Sequence, residues 1–130
     1  MKLKLKQIGP RTMEIVTDKW SFVVDLKEKY GGENSGPNPS ELTAAALASC
    51  EVLTGVVWVA KRHRIELRDL EAEVEWEFAE KPDRISRIDV TIRNVAAQLG
   101  DKTDAFEAIA KGCNISKTFK TPPELTLKVE

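Results

Sequence analysis

The stretch that decides the fold is GGENSGPNPSELTAAALASCEVLTGVVWVAKRH, residues 31 to 63. Its first nine residues are rich in glycine, asparagine and proline, a composition typical of a loop. From residue 42 to residue 60 the stretch is mostly apolar, with no helix breaker stronger than Gly55. Asn38 is a favoured N-cap, Pro39 suits the first helical position, and Glu41 lies where the carboxylate of a capping box reaches back. The sequence therefore predicts one long helix that begins after Asn38.

This helix is apolar on every face, and a helix of that kind is normally buried. At about 1.5 Å per residue it would span roughly 36 Å, the width of a small domain. A chain of 130 residues cannot wrap it completely, so we expect a second subunit to cover part of it. The helix is also close to membrane-spanning length, but Glu51 near its centre would be costly in lipid. We therefore expect a buried helix of a soluble protein.

The composition is that of one ordinary globular domain covering residues 1–130, with 42% hydrophobic and 32% charged residues. A formal net charge of −1, with acids and bases interspersed, argues against a nucleic-acid surface. The N-terminus has no signal-peptide pattern, so we expect a cytoplasmic protein, in which disulfides are usually transient. Two cysteines and one histidine are too few for a tetrahedral zinc site, and we expect no metal.

Alternation of apolar and polar residues predicts the strands, at residues 3–8, 12–17, 20–26, 70–78, 85–95 and 125–129. The first three form an antiparallel meander, followed by a long loop at 27–38 of a length that is often functional. The strand at 70–78 carries four glutamates on one face, which we interpret as the solvated side of a hairpin. Residues 101–113 predict an amphipathic helix with Cys113 on its apolar face, and 115–119 a short turn or helix. These elements predict an α+β fold.

Only Cys50 and Cys113 and their neighbours are candidates for covalent chemistry. Cys50 lies in the middle of the long helix beside small side chains, and Cys113 lies in the second helix. If the two helices pack together, the thiols come within disulfide reach, which requires Cα atoms about 4.4–6.8 Å apart. Two small buried hydrophobic residues would explain the same pattern, and from the pattern alone that explanation is favoured.

Two motifs resemble those of the OsmC/Ohr family, the osmotically inducible protein C and organic hydroperoxide resistance proteins. The first is Gly31-Gly32-x-x-x-Gly36-Pro37-Asn38-Pro39-x-Glu41-Leu42, followed by Ala44-Ala45-Ala46-Leu47-Ala48-Ser49-Cys50. The second is Ala110-Lys111-Gly112-Cys113-Asn114-Ile115-Ser116, with Asn114 where the family often has proline. The resemblance covers roughly residues 31–130. It implies an OsmC-like fold, with antiparallel strands, a long central buried helix and a second helix, in an intertwined homodimer with active sites at the subunit interface.

The resemblance also implies thiol peroxidase chemistry. Cys50 as a thiolate would attack the terminal oxygen of an organic hydroperoxide or hydrogen peroxide, and its sulfenic acid would condense with Cys113. An external dithiol, in the family often a lipoyl group, would then reduce the disulfide. No metal, flavin or haem is implied, and the expected partners are a second copy of the chain, the hydroperoxide and the dithiol, without nucleic acid or membrane.

A buried thiol has a raised pKa, and a nearby cation lowers it. In peroxidase members of the family an arginine serves the thiolate and is held by a glutamate one position after the Asn-Pro pair. This chain departs from the pattern, because Ser40 occupies that position. Arg11, in a plausible strand position, is the candidate for the organic-hydroperoxide branch. For the other branch the matching loop offers only Lys27, Lys29 or Tyr30.

Two carboxylates complete the set of thiolate-supporting candidates. Glu41 lies about 14 Å along the helix from Cys50 and projects about 180° away from it, so a role in the capping box is favoured. Glu51 is adjacent to Cys50, where a carboxylate would raise the pKa of the thiol unless a cation intervenes. A half-buried residue paired with a lysine or arginine explains Glu51 equally well.

Two other classes of function stay open. The departure at Ser40 and the lack of an obvious arginine favour a dimeric binding protein that holds a small hydrophobic ligand in an interfacial cleft, without peroxidase activity. A structural or regulatory module, with both cysteines in the core, is the third interpretation. Slow labelling of both thiols in the native protein would indicate the last of these.

Overall fold

Residues 1–43 and 44–130 form two compact units in this computed structural model, which describes all 130 residues of the chain. The N-terminal unit (residues 1–43) contains an antiparallel sheet of three strands: β1 (Lys4–Gly9), β2 (Thr12–Val16) and β3 (Ser21–Asp25). Leu5 pairs with Ile15, which in turn pairs with Phe22. The predicted meander is confirmed. A single 3₁₀ turn at Glu28–Tyr30 follows β3.

The long helix α1 runs from Pro39 to His63. Its first turn contains the predicted capping box: the N–H of Asn38 donates to Glu41 Oε2 at 2.9 Å, and the N–H of Glu41 donates to Asn38 Oδ1 at 3.0 Å. These two bonds satisfy backbone donors that the helix itself leaves free. The predicted long helix and its start after Asn38 are confirmed.

The C-terminal unit (residues 44–130) contains most of α1, a β-hairpin and three short helices. The hairpin consists of β4 (Glu71–Glu80) and β5 (Asp83–Arg93), and the helices are α2 (Ala96–Leu99), α3 (Thr103–Ala110) and α4 (Asn114–Lys120). A 3₁₀ turn at Gly100–Lys102 joins α2 to α3. The core of the unit is formed by Val59, Val95, Leu99, Phe106 and Ala110.

The hairpin has the predicted solvated face. On the apolar face Val74 pairs with Val90, whereas Glu73 on the other face is exposed. Glu73 accepts a 2.7 Å ion pair from Arg93 on the neighbouring strand. The glutamates of β4 therefore belong to the wet side of the hairpin.

The predicted helix at 101–113 is wrong at its C-terminal end. Helix α3 ends at Ala110, and Cys113 adopts an extended conformation (φ −63°, ψ 161°) as the N-cap of α4. The N–H groups of Gly112 and Cys113 donate to the carbonyls three residues earlier, at 3.0 and 3.1 Å, so the chain turns there. The short helix predicted at 115–119 is confirmed as α4.

The predicted last strand does not form within the single chain. Residues 122–130 have no regular secondary structure, and Leu125, Leu127 and Val129 are exposed. Helix α1 is likewise covered on only part of its surface, with Leu53 60% exposed and Val57 also exposed. By length and apolar composition alone α1 would qualify as a membrane span, a test that core helices of soluble proteins also pass.

Candidate functional site

Cys50 and Cys113 approach each other in the C-terminal unit. Cys50 is half-buried in the middle of α1, one helical turn before Thr54. Cys113 is only 1% exposed, and its Sγ accepts a hydrogen bond from the N–H of Ser116 at 3.3 Å. An N-cap position normally holds a serine, threonine, asparagine or aspartate, so a thiol there stands in for a hydroxyl. Both cysteines are free thiols.

The surroundings of Cys50 favour its ionised form. Burial raises the pKa of this thiol. Four hydrogen bonds together lower the pKa by more than burial raises it, so the net shift is downward; the donors are the backbone N–H of Ile115, the Cys113 thiol, the Thr54 hydroxyl and the backbone N–H of Asn114. Donors that point at a sulfur stabilise the thiolate more than the thiol. Sequence analysis expected a cation in this role, whereas the leading contributions that lower the pKa are hydrogen bonds.

The surroundings of Cys113 have the opposite effect. Burial raises the pKa of this thiol, and the hydrogen bond and charge interaction with Cys50 raise it further, against the Ser116 N–H that lowers it. The two thiols therefore divide their roles. When one proton leaves the pair, the negative charge settles on Cys50 and Cys113 stays protonated as a donor to it.

Glu51, next to Cys50 in α1, lines a cavity of about 470 Å³. Burial raises the pKa of Glu51, and the charges of Lys111 and Lys120 lower it by less. Lys111 itself is ion-paired with Glu107 one turn earlier on the same side of α3. The cavity wall combines charged and polar residues such as Glu51, Asp89 and Glu107 with apolar ones, which include Leu47, Ile88, Val90, Ile92, Val95 and Phe106. The predicted half-buried Glu51 near a lysine agrees with this arrangement.

Glu41 belongs to the capping box, and its other oxygen lies 3.4 Å from Lys27 Nζ. Both interactions fix the entry of α1, which agrees with the structural explanation that the sequence favoured. Lys29 is exposed in the 3₁₀ turn, with its Nζ 4.8 Å from the centroid of the Tyr30 ring. That contact is a cation–π interaction at an exposed site.

Arg11 lies in the turn between β1 and β2, not within a strand as the sequence suggested. Its side chain packs against Gly31, since a Cβ added there would lie 2.8 Å from Arg11 Nε. No carboxylate lies within 4.0 Å of the guanidinium. Arg11 lines a second cavity, of about 440 Å³, together with Thr12, Gly32 and Ser35.

Sequence analysis missed Asp25, the one buried charged residue of the chain. It ends β3, and its carboxylate accepts hydrogen bonds from the loop that follows. The Ser35 hydroxyl donates at 2.7 Å, and the N–H groups of Leu26, Glu33 and Ser35 donate at 2.8, 3.1 and 3.2 Å. These bonds, that of the Ser35 hydroxyl above all, lower the pKa of Asp25 to about 2 against the effect of burial. The available signal was an acidic residue directly before a glycine-rich loop.

Comparison with known proteins gives one consistent result. The family model described as OsmC-like protein matches residues 32–128. A solved protein of Psychrobacter arcticus 273-4, assigned to osmotic stress induction and the detoxification response, is 25% identical with a TM-score of 0.78, over 91% of this chain and 87% of that one. None of the curated proteins matches the sequence significantly.

Two further solved structures share the fold. The organic hydroperoxide resistance protein OsmC of Legionella pneumophila is 22% identical with a TM-score of 0.60, over 93% of this chain and 90% of that one. The organic hydroperoxide resistance protein OhrB of Bacillus subtilis is 24% identical with a TM-score of 0.56, over 94% of this chain and 93% of that one.

Proposed function

Because this chain belongs to the OsmC-like family, we propose that it is a thiol-dependent peroxidase that reduces organic hydroperoxides, and also hydrogen peroxide. Cys50 is the nucleophile and Cys113 the resolving thiol. The observation that carries the proposal is the opposite shift of the two thiols, with the pKa of Cys50 lowered and that of Cys113 raised. A peroxidatic thiol must be ionised to attack, and a resolving thiol must lie close to it.

The first step oxidises Cys50. The thiolate attacks the outer oxygen of the hydroperoxide, so an S–O bond forms, the O–O bond breaks, and the alkoxide takes up a proton and leaves as an alcohol. Thr54 and the N–H groups of Asn114 and Ile115, which donate to the thiolate, hold the sulfur in place for this attack. The product at Cys50 is a sulfenic acid.

The second step joins the two sulfurs. Cys113 attacks the sulfenic sulfur, an S–S bond forms, and the hydroxyl leaves as water with the proton of the Cys113 thiol. An external dithiol then reduces the disulfide and becomes a disulfide itself, which returns both cysteines to thiols. A reduced lipoyl group, the reductant that the family resemblance suggests, has the required two thiols.

We further propose that the active form is a cytoplasmic homodimer. Leu53 and Val57 on α1, Phe78 at the end of β4 and the apolar residues of the last segment are exposed in one chain. Exposed large apolar side chains of this kind are better covered by a second protein surface than by water. Among the thiolate-supporting candidates, the choice of Arg11 rests on the family resemblance alone.

The direct experiment measures consumption of cumene hydroperoxide by the reduced protein with dithiothreitol or dihydrolipoamide as the reductant. We expect turnover that is lost in Cys50→Ser. Treated with the hydroperoxide in the absence of dithiol, Cys113→Ser should react once and stop at a sulfenic acid, which intact mass shows as the gain of one oxygen atom. The wild type should instead lose the mass of two hydrogen atoms.

Matched controls separate this mechanism from random oxidation. Ser49→Ala alters an exposed neighbour of Cys50 that hydrogen-bonds only to its own helix, and should leave turnover unchanged. Absence of turnover with every dithiol, or equal oxidation of both cysteines to sulfenic acids, would contradict the proposal.

The cavity lined by Glu51 supports a second candidate function. A cavity of about 470 Å³ with an apolar part to its wall has room for a small hydrophobic ligand, as the dimeric binding protein would require. Native mass spectrometry of the purified protein distinguishes the two functions. A retained ligand together with a Cys50 that alkylates no faster than a free cysteine would favour binding over catalysis.

A further inference from the structure

The first turn of α4 is bound by two sulfur atoms. A helix leaves its first four N–H groups without a partner in the helix itself. The N–H groups of Asn114 and Ile115 donate to the Cys50 sulfur. The N–H of Ser116 donates to Cys113 Sγ at 3.3 Å. Three of these four donors therefore depend on the two cysteines.

Little else in the chain holds α4. The helix has seven residues, and none of them is buried. A helix this short is not stable by itself and depends on its caps and on packing. Residues 122–130, which follow α4, have no regular secondary structure, so no later element fixes the helix from its other end. The bonds to the sulfurs are therefore its main anchor.

Oxidation of the two thiols removes these acceptors. In the proposed reaction the thiols are oxidised and the O–O bond is reduced: the hydroperoxide takes two hydrogen atoms and leaves as alcohol and water, while an S–S bond forms. Cys50 then has no negative charge, and a hydrogen bond to an ionised acceptor is about twice as strong as one to a neutral acceptor. Cys113 Sγ turns from the Ser116 N–H toward Cys50. All three donors are left with a weak, neutral acceptor or with none.

We propose that α4 is a redox-sensitive element, capped by the two sulfurs while they are thiols and released when they join in a disulfide. Donors without a partner are satisfied by water once the first turn opens, so the segment 114–120 unwinds from its N-terminal end. The oxidised protein then presents a different surface here from the reduced protein. The inference rests on the proposed function only for the pairing of Cys50 with Cys113.

The test compares the amide hydrogen exchange of the reduced protein with that of the protein oxidised by diamide. Diamide takes two hydrogen atoms from a pair of thiols and becomes a hydrazine, so the disulfide forms without any peroxidase activity. Intact mass confirms the loss of two hydrogen atoms, and peptide mapping confirms the bond between Cys50 and Cys113. We expect residues 114–120 to exchange roughly tenfold faster in the oxidised protein, with the exchange of α3 unchanged.

The outcomes separate this inference from the proposed function. Unchanged exchange of residues 114–120 in the disulfide form would overturn the inference and leave the peroxidase standing. Equal acceleration in α1 and α3 would also overturn it, since the disulfide would then loosen the whole unit. Failure of diamide to join Cys50 to Cys113 would overturn both, because each needs these sulfurs to meet. Faster exchange at α4 in a protein that does not turn over hydroperoxide would support the inference and refute the peroxidase.

Two variants repeat the test without a disulfide. Cys113→Ala removes the sulfur that caps Ser116, so residues 114–120 of the reduced protein should exchange several-fold faster than in the wild type. Cys113→Ser is the matched control, because its hydroxyl is a good N-cap acceptor. It should exchange as the wild type does, and diamide should change nothing at α4 because no disulfide can form within the chain. If Cys113→Ala exchanges as slowly as Cys113→Ser, the sulfur is not the anchor of α4 and the inference is wrong.

Discussion

Replacing Gly55 with alanine tests the packing between α1 and α3. Gly55 is buried, and an added Cβ would lie 2.4 and 2.5 Å from the Cε2 and Cζ atoms of Phe106. Carbon atoms in contact are about 3.5–4.0 Å apart, so the ring or the helix must move by about 1 Å. Such overpacking costs about 1–3 kcal/mol, whereas alanine gains about 1 kcal/mol over glycine in a helix. We expect a net loss of about 0–2 kcal/mol in the free energy of unfolding.

The sign of this effect should reverse when the ring is removed. Phe106→Ala alone should cost about 3–5 kcal/mol, because Phe106 is a buried core residue. In that background Gly55→Ala meets empty space and should stabilise by about 1 kcal/mol through helix propensity. Phe106→Leu serves as a milder background if the alanine variant is too unstable.

Urea unfolding at one fixed protein concentration measures these differences, since the stability of the proposed dimer would depend on concentration. Ser49→Ala, an exposed substitution on the same helix, is the control and should have the same effect in both backgrounds. If Gly55→Ala stabilises the protein equally with and without the Phe106 ring, the packing of α3 on α1 described above is wrong.

Three other substitutions test the remaining features. Asn38→Ala should lower the free energy of unfolding by about 0.5–2 kcal/mol, because the helix loses its N-cap. The pH profile of Cys50 alkylation should not change. A change in that profile would indicate that Glu41 supports the thiolate. Asp25 has a pKa of about 2 against an ordinary 3.8. Its stabilising effect is therefore complete above pH 3.8 and is lost as the pH falls from 3.8 through 2. The stability gap between wild type and Asp25→Asn should therefore narrow on acid titration, and a constant gap would refute the depressed pKa. Burial raises the pKa of Glu51, so its charge costs stability at neutral pH. Glu51→Gln should therefore unfold at a higher urea concentration than the wild type at pH 7, and the difference should disappear in acid. A lower urea midpoint for Glu51→Gln at pH 7 would show that the neighbouring lysines outweigh burial.

The part of the fold that could be predicted from the sequence is the part governed by local chemistry. The capping box of Asn38 and Glu41 needs only residues three apart, and both of its hydrogen bonds form as expected. The hairpin follows from strict alternation over 70–78, which no helix would satisfy. The meander of the first three strands has the same origin.

The break before Cys113 could not be predicted from periodicity. Phe106, Ala110 and Cys113 are all buried, so the apolar spacing is satisfied although α3 ends at Ala110. Gly112 was the only local indication of a turn. The consequence for the site is large, because the N-cap position places the Cys113 thiol and the first N–H groups of α4 at Cys50.

Neither the hydrogen bonds of Asp25 nor the packing on the exposed face of α1 could be predicted from local sequence. The donors to Asp25 come from Thr12 and from residues up to ten positions later, and no periodic pattern connects them. The exposed face of α1 and the segment 122–130 are where the proposed second copy of the chain would pack. A single sequence indicates that need through an apolar helix but does not give the contacts.

The most direct test of the central claim is the pH dependence of Cys50 alkylation, compared between Cys113→Ser and Cys113→Ala. Serine keeps a hydroxyl donor to Cys50 and a good N-cap, whereas alanine removes both. The proposed pair predicts an apparent pKa for Cys50 below the free value of about 8.5 with serine, and a higher pKa with alanine. A pKa at or above about 8.5 in both variants would contradict it, since Cys50 would then be an ordinary buried thiol.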